Sequence, residues 1–503
     1  MTEENISTGL NTRVQFLILF GLVFLSALIV RLPHLLSNGS FFDGDEAVIG
    51  IMAQNILNGK IDVYFLGQNY GVSLLESASV SFFLKILGVG VWALRLGGLF
   101  IFSLGCTFII RVFQKNNSPG KMVLFIGLLL ILFPSWYLWG MMVRGGYVTS
   151  FLLVSILFYI TQTKQQTILW CILVGGIAAL TFESHLLVLF TFFPILIAWV
   201  FKSGQKLRSM IITGISALST IFTLRLFYIE NPVWSKPKLN TGVQEQWDQL
   251  LYHLGDLLSG FSNYHYFTAG FKLELWLNIV VLGGLILFLV ILLILLKKVQ
   301  IRSEKVMVLL YVPVIIGYIF LMSMMGQPAP RYWLGLFTGL LFLMIYLILY
   351  TPEMKLSLIH YGMLTFFIVL AYAGDNHRRD WYQTDKNEMV LLSKLHNTVT
   401  SNEVDVLYTV EPDFQWKWNY MYGDKIPAMH VNERERTMQF VDRINELKHN
   451  PVVKIGVVGF NKIYNGLNIY PEFYEQIIVV DGKYFLFLNP SKIEFESFKA
   501  FYK

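Results

Sequence analysis

The sequence predicts a mainly α, polytopic membrane protein of about eleven transmembrane helices, closed by a small extracytoplasmic α/β domain. Three observations predict it. Of 503 residues, 55% are hydrophobic and only 14% charged, and the mean hydropathy is +0.56, too apolar for a soluble globular chain. Apolar runs of spanning length recur with polar breaks between them. After Ala373 the composition turns abruptly mixed and charged for about 130 residues, enough for a small folded unit.

Taken in order, spans are expected near 14–32, 92–112, 122–141, 146–160, 167–182, 185–201, 209–229, 275–296, 306–325, 333–350 and 356–372. The first exceeds a signal-peptide core and is followed by Arg31-Leu32-Pro33-His34 rather than a small-residue cleavage site, so it reads as a retained anchor. Between Val72 and Val89 lies an apolar segment that carries Glu76, several serines and Lys85. Topology decides its reading. If it lies flat, Arg111, Lys115, Lys121, Lys164, Lys202, Lys206, Arg208, Lys297, Lys298, Arg302, Lys305 and Lys355 all fall on one side, which the positive-inside rule makes cytoplasmic together with the N-terminus. If it spans, those loops flip outward. The flat reading is therefore preferred, and the opposite face holds a first loop of residues 33–91, the Trp139–Gly146 turn, the Glu230–Glu274 loop, the Gly326–Arg331 turn and the C-terminal tail.

The chain thus divides into a membrane module, 1–372, and a C-terminal domain, 373–503. In the latter, strand-like runs at Val404–Val410, Val452–Phe460, Gln476–Val480 and Tyr484–Leu488 surround a helical stretch at Arg434–Leu447. The net charge of +6 sits mainly in short loops between spans, where it sets topology, and no nucleic-acid partner is expected. Cys106 and Cys171 fall inside apolar runs and behave as small hydrophobes.

Chemistry concentrates between Phe41 and Leu96. Asp43, Asp45, Glu46 and Glu76 lie there between two long apolar runs, where a soluble and a lipid-borne reactant can meet. Asp45-Glu46 opens an apolar-faced stretch running to Leu57, so Asp45 is also a candidate helix cap. An ionised Glu76 near a membrane needs a partner or water. Gln68 and Tyr70 belong to a Gly67-Gln68-Asn69-Tyr70 turn. Across the chain, Arg331-Tyr332 follows Gln327-Pro328-Ala329-Pro330 at the mouth of a span, and a guanidinium there can grip a phosphate bidentately or simply snorkel. Arg144, in Arg144-Gly145-Gly146-Tyr147, and Arg95 are candidates for the same task. His185 follows Glu183 at a helix junction, where it can contact a substrate or satisfy a local hydrogen bond. Trp234, Trp247, Tyr252, His253, Tyr264 and His265 form an aromatic-rich loop suited to a bilayer surface.

The Asp-Glu pair, Gly67-Gln68-Asn69-Tyr70, Leu75-Glu76 and Ala93-Leu94-Arg95-Leu96 together resemble the first external loop of the GT-C glycosyltransferases. Within that superfamily the layout is similar to the bacterial relatives of the protein O-mannosyltransferases and to the aminoarabinose transferases of lipid A. The resemblance implies an enzyme that moves a sugar from a polyprenyl-phosphate carrier to an extracytoplasmic acceptor: a protein, a glycolipid or a cell-wall polymer. It places the catalytic carboxylate at Asp45, supported by Glu46. Such a transfer needs a group to take the hydroxyl proton and positive charge to stabilise the departing phosphate, but no obvious general acid. The resemblance extends to Arg331-Tyr332 as a phosphate contact, with Arg144 and Arg95 candidates beside it by position; Gln68, Tyr70 and His185 are the expected substrate contacts, and Glu76 with Asp43 the expected ligands of a divalent cation, Mg or Mn. Val72-Ser73-Leu74-Leu75 stands where the aminoarabinose transferases carry Lys-Pro-Pro, which argues against lipid A modification. A lipid-linked sugar transporter or flippase is the main alternative, and would place ionisable residues at midspan in two related halves. A non-catalytic membrane assembly protein is a third.

Overall fold

The structure, a computed structural model, describes residues 12–36, 42–228, 302–324, 330–350, 388–431, 438–448, 454–460, 476–481 and 484–488, with a few more between 290 and 368. The expected spans 275–296 and 356–372 fall almost wholly outside these residues, as do the Glu230–Glu274 loop and the module boundary. The membrane-module helices are α1 (Thr12–Leu36), α2 (Gly44–Leu57), α3 (Leu74–Leu87), α4 (Val91–Lys115), α5 (Gly120–Leu132), α6 (Pro134–Trp139), α7 (Tyr147–Thr163), α8 (Ile168–Phe201), α9 (Lys206–Arg225), α10 (Arg302–Met324) and α11 (Leu334–Leu349). Among the described residues, five stretches are long and apolar enough to cross a membrane: Thr12–Pro33, Val91–Lys115, Ile168–Phe201, Lys206–Arg225 and Arg331–Leu349. Apolar helices at Gly120–Leu132, Tyr147–Thr163 and Val308–Met322 are shorter.

The expected span 122–141 is broken. Pro134 lacks an N–H and disfavours helix at the residue before it, so α5 ends at Leu132 and Phe133 turns out at φ −59°, ψ 118°. Arg31, fully buried on α1, collects carbonyls at this break. Its Nε donates to Tyr137 O at 2.7 Å, and its Nη2 to Ile131 O at 3.1 Å and Trp136 O at 3.2 Å, with the Phe102 ring 5.0 Å away.

Helix α8 covers two of the expected spans, folded one against the other at a break in the helix. His185 leaves helical geometry at φ −159°, ψ 93°. Gln166 Nε2 donates to Trp199 O, so two points 33 residues apart touch, whereas a straight helix of that length would separate them by about 50 Å. The run is therefore a hairpin with its tip at Glu183–His185. Its two ends lie near Gln162 and Tyr350, which share a 2.8 Å hydrogen bond, and Lys202, which donates to Tyr350 Oη at 3.2 Å.

Helix α3 does not run from one end of the bundle to the other. Before it, Val72 O accepts from Ser184 Oγ at the hairpin tip. After it, Gly90 meets Tyr420 of the C-terminal domain, beside the N-terminus of α4. Both ends of α3 thus sit on the hairpin-tip side.

The C-terminal domain comprises α12 (Glu388–Ser401), β1 (Val406–Thr409), α13 (Pro412–Tyr422), β2 (Ala428–His430), α14 (Met438–Lys448), β3 (Ile455–Phe460), β4 (Gln476–Val480) and β5 (Tyr484–Leu488). Its sheet order is β2-β1-β3-β5-β4. β1 runs parallel to β2 and β3, and β5 antiparallel to β3 and β4, so α13 and α14 are crossover connections. Leu391, Leu395, Phe414 and Trp418 cover one sheet face with Leu407 and Leu486. Ile444 of α14 covers the other with Val406, Val457 and Phe487.

A separate core joins this domain to the first loop. Trp416, Tyr420 and Phe440 pack with Phe42, Val48, Ile51 and Met52 of the α2 region and with Val80 and Leu84 of α3. Tyr420 Oη donates to Gly90 O at 3.0 Å and accepts from Gly90 N at 3.1 Å, while Gln54 Nε2 donates to Tyr420 O at 3.0 Å. Helix α13 thus lies between its own sheet and α2.

Candidate active site

Two turns and the hairpin tip frame the site. Bending at His185 frees the Glu183 carbonyl from helical pairing, and it accepts instead from Gly71 N at 2.9 Å and Val72 N at 3.2 Å. Gly71, Gly145 and Gly146 adopt φ of +74°, +72° and +97°, a region that side-chain-bearing residues enter at a cost. Space is equally tight, because a Cβ on Gly146 would lie 2.8 Å from Ser184 O.

Glu76, fully buried on α3, closes the frame. Its Oε1 accepts from Gly146 N and Thr149 N, both at 3.1 Å, and so caps the N-terminus of α7 from another element. Burial pushes its carboxyl up to about 7, against the lowering effect of those backbone hydrogen bonds.

The first-loop carboxylates divide by partner. Asp43, not Asp45, is the cap of α2: its Oδ1 accepts from Asp45 N at 2.6 Å and Glu46 N at 3.2 Å. Its other oxygen meets Arg144 Nη2 at 2.5 Å. Glu46 turns inward, fully buried, to Arg95 Nη2 at 2.9 Å. Burial carries the Glu46 carboxyl up to about 7 despite the Arg95 charge. Asp45 faces the open side. Its Oδ2 lies 3.3 Å from Arg331 Nη1 and 3.5 Å from Arg144 Nη2, and its side chain keeps 22% exposure.

Two guanidinium groups from turns far apart in sequence therefore converge on Asp45. Arg144 is anchored by Asp43 and by the face of Trp139, 5.1 Å away. Arg331 lies 5.5 Å from the ring of its neighbour Tyr332, and the Tyr332 carbonyl accepts from Tyr318 Oη. Tyr147 packs on Trp139 at 5.1 Å and on His185 at 4.4 Å, within electrostatic reach of Arg331, Arg144 and Asp45.

The sequence-derived residues thus separate into groups. Asp43, Asp45, Arg144 and Arg331 come together, with Tyr332 and His185 beside them. Arg95 and Glu46 form a buried pair behind α2 rather than facing the open side. Gln68 is buried in the Gly67–Tyr70 turn, donating its backbone N–H to Phe65 O, and Tyr70 is exposed. Glu76 is bound to the α7 terminus, apart from Asp43, and no group of three His, Cys, Asp or Glu able to hold a metal occurs among the described residues. A donor set in which Glu76 caps a helix and Asp43 binds arginine does not fit the expected Mg or Mn.

One contribution escaped sequence reasoning. Asp413, in the first turn of α13, is exposed and lies against the start of α2, where a Cβ on Gly44 would come within 2.9 Å of its Oδ1. Crowding by surrounding protein on its covered side pushes its carboxyl up to about 6. Asp43 and Asp45 act in the same direction, and Lys417 and Arg144 oppose. Glu411-Pro412-Asp413 is a helix-start signal, but nothing local ties it to the first loop.

No family model matches the chain, and no curated protein matches it. Among solved structures, the crystal structure of ArnT from Cupriavidus metallidurans in the apo state matches over 95% of this chain and 98% of that one, at 12% sequence identity and a TM-score of 0.44.

Proposed function

We propose that the protein is an integral membrane glycosyltransferase of the GT-C type, moving a sugar from a polyprenyl-phosphate carrier to an acceptor outside the cytoplasm. The observation that carries this reading is Asp45, a partly exposed carboxylate held between Arg144 and Arg331 at the hairpin-tip end of an apolar bundle. The first-loop motifs support it. Paired guanidinium groups are suited to a phosphate and to the charge that grows on it as the glycosidic bond breaks.

In this mechanism the carrier phosphate takes over contacts from Arg144 and Arg331 and releases Asp45 from them. Asp45 then accepts the proton of the acceptor hydroxyl as its oxygen attacks the anomeric carbon. The carbon–oxygen bond to phosphate breaks, its electron pair leaves with the polyprenyl phosphate, and the configuration inverts. Tyr332 and His185 flank the donor, while Gln68 and Tyr70 line the loop side. No step uses a metal. In this reading the basic loops face the cytoplasm, with the N-terminus, and the C-terminal domain lies outside.

The test is release of label from radiolabelled undecaprenyl-phosphate sugars in proteoliposomes with cell-envelope extract as acceptor source. Wild type is expected to release it, and Asp45→Asn to lose at least about a hundredfold, the lower range of a positioned base. Full activity in Asp45→Asn sinks the assignment of the base. Carrier binding without consumption by wild type moves the reading to a flippase.

A further inference from the structure

Two kinds of charge meet the N-terminal turn of α2. Arg144 and Arg331 contact Asp45 there, and Asp413 stands against Gly44, one residue before it. In an inverting transfer the acceptor oxygen approaches opposite the leaving phosphate. If the phosphate occupies the arginines, the acceptor enters along the α13 side. Two features fix that side. Asp413 projects from the first turn of α13, which is immobilised by Trp416 and Tyr420 against α2 and by Gln415 and Asn419, which bind β2 backbone at His430 N (3.0 Å) and at Ala428 (2.8 Å). And Asp413 is exposed, whereas Asp43 and Glu46 are buried.

We infer that Asp413, supplied by the C-terminal domain, is the specificity-determining residue of the acceptor side, favouring an acceptor whose hydroxyls or ammonium groups can hydrogen-bond a carboxylate and disfavouring one carrying a phosphate at that place. The inference rests on the glycosyltransferase reading. Geometrically, Asp413 complements the arginines: the same site attracts an anion on the donor side and repels one on the acceptor side. Ionisation follows from the groups that face it, Asp43, Asp45, Arg144 and Lys417. Since its carboxyl is raised to about 6, the preference weakens as pH falls through that value and the group becomes neutral.

The experiment uses the full chain in proteoliposomes with a radiolabelled undecaprenyl-phosphate sugar and three soluble acceptors: octyl glucoside, its 2-amino counterpart and its 6-phosphate. Wild type is expected to prefer the neutral and amino glycosides to the phosphate by about tenfold or more, equivalent to ~1.4 kcal/mol. Asp413→Asn should abolish that preference and Asp413→Lys should reverse it, with donor half-saturation held within about twofold, since the donor phosphate binds elsewhere. An acceptor ranking unchanged in both variants, or a wild type that uses donor with envelope extract yet shows no ranking among the three, overturns the inference and leaves the function standing. A wild type that consumes no donor with any acceptor overturns the function itself.

Discussion

Asp43 and Asp45 stand two positions apart and have opposite fates, because a helix start fixes where each points. The residue before the first turn bends its carboxylate back onto free N–H groups, and the second residue of the turn points outward. The motif alone left capping open for Asp45, and the structure gives that duty to Asp43. Glu76 is a carboxylate buried for a backbone reason, and its behaviour is measurable. Folded, its carboxyl is raised from 4.5 to about 7, so between these values the native state retains a proton that the unfolded chain has released, and stability falls as pH rises through the window. Glu76→Gln keeps the capping oxygen and removes the titration. Thermal unfolding of the detergent-purified protein at pH 5 and pH 7.5 should show a smaller downward shift for the variant than for wild type; an equal shift refutes the account. Glu76→Ala should lose about 0.5–2 kcal/mol at either pH through loss of the cap. The residue types of the site were legible in the sequence, Asp45 and both arginines included. Their pairing was not, since Arg331 lies 286 positions from Asp45.

Among elements, the hairpin α8 and the two glycine turns form one frame, and its tolerance is narrow. Gly146→Ala must place a Cβ 2.8 Å from Ser184 O at a φ of +97°. It is expected to lower the unfolding temperature and reduce transfer, because Arg144 is two residues away, with a strain of about 1–2 kcal/mol. Gly120→Ala, at the start of α5 with nothing within 4 Å, is the matched control and should be neutral on both measurements. Four strands of the C-terminal domain could be read from the sequence because each is a short run rich in apolar and β-branched residues, and α14 because its apolar face differs from its polar one. Helix α13 could not, because Phe414 and Trp418 face its sheet while Trp416 and Tyr420 face α2, so no polar stripe marks it. Likewise the break after α5 follows from Pro134, which an apolar window alone passes over.

Over the whole molecule, the C-terminal domain is joined to the first loop through a close approach of Gly50 to Tyr420. A Cβ on Gly50 would fall 2.3 Å from the Tyr420 ring. Gly50→Ala should therefore cut transfer and speed proteolysis of the C-terminal domain, and pairing it with Tyr420→Ala should recover part of the loss, a non-additivity expected of residues in contact. Strict additivity would mean that the two surfaces do not meet. Topology can be read independently: in intact cells an impermeant maleimide should label Thr400→Cys and leave Gln165→Cys unlabelled until the membrane is opened, and the reverse pattern would invert the orientation.

The frame around Asp45 is joined largely by main-chain bonds, Glu183 O to Gly71 N and Val72 N, with Glu76 reaching the backbone of Gly146 and Thr149. Backbone atoms are common to every sequence, so most side chains near the site can drift without moving it. What such an arrangement fixes is sparse: three glycines at two turns, one buried acid and two arginines. Descent through this protein should accordingly be traced by a scattered handful of positions rather than by any contiguous stretch of likeness.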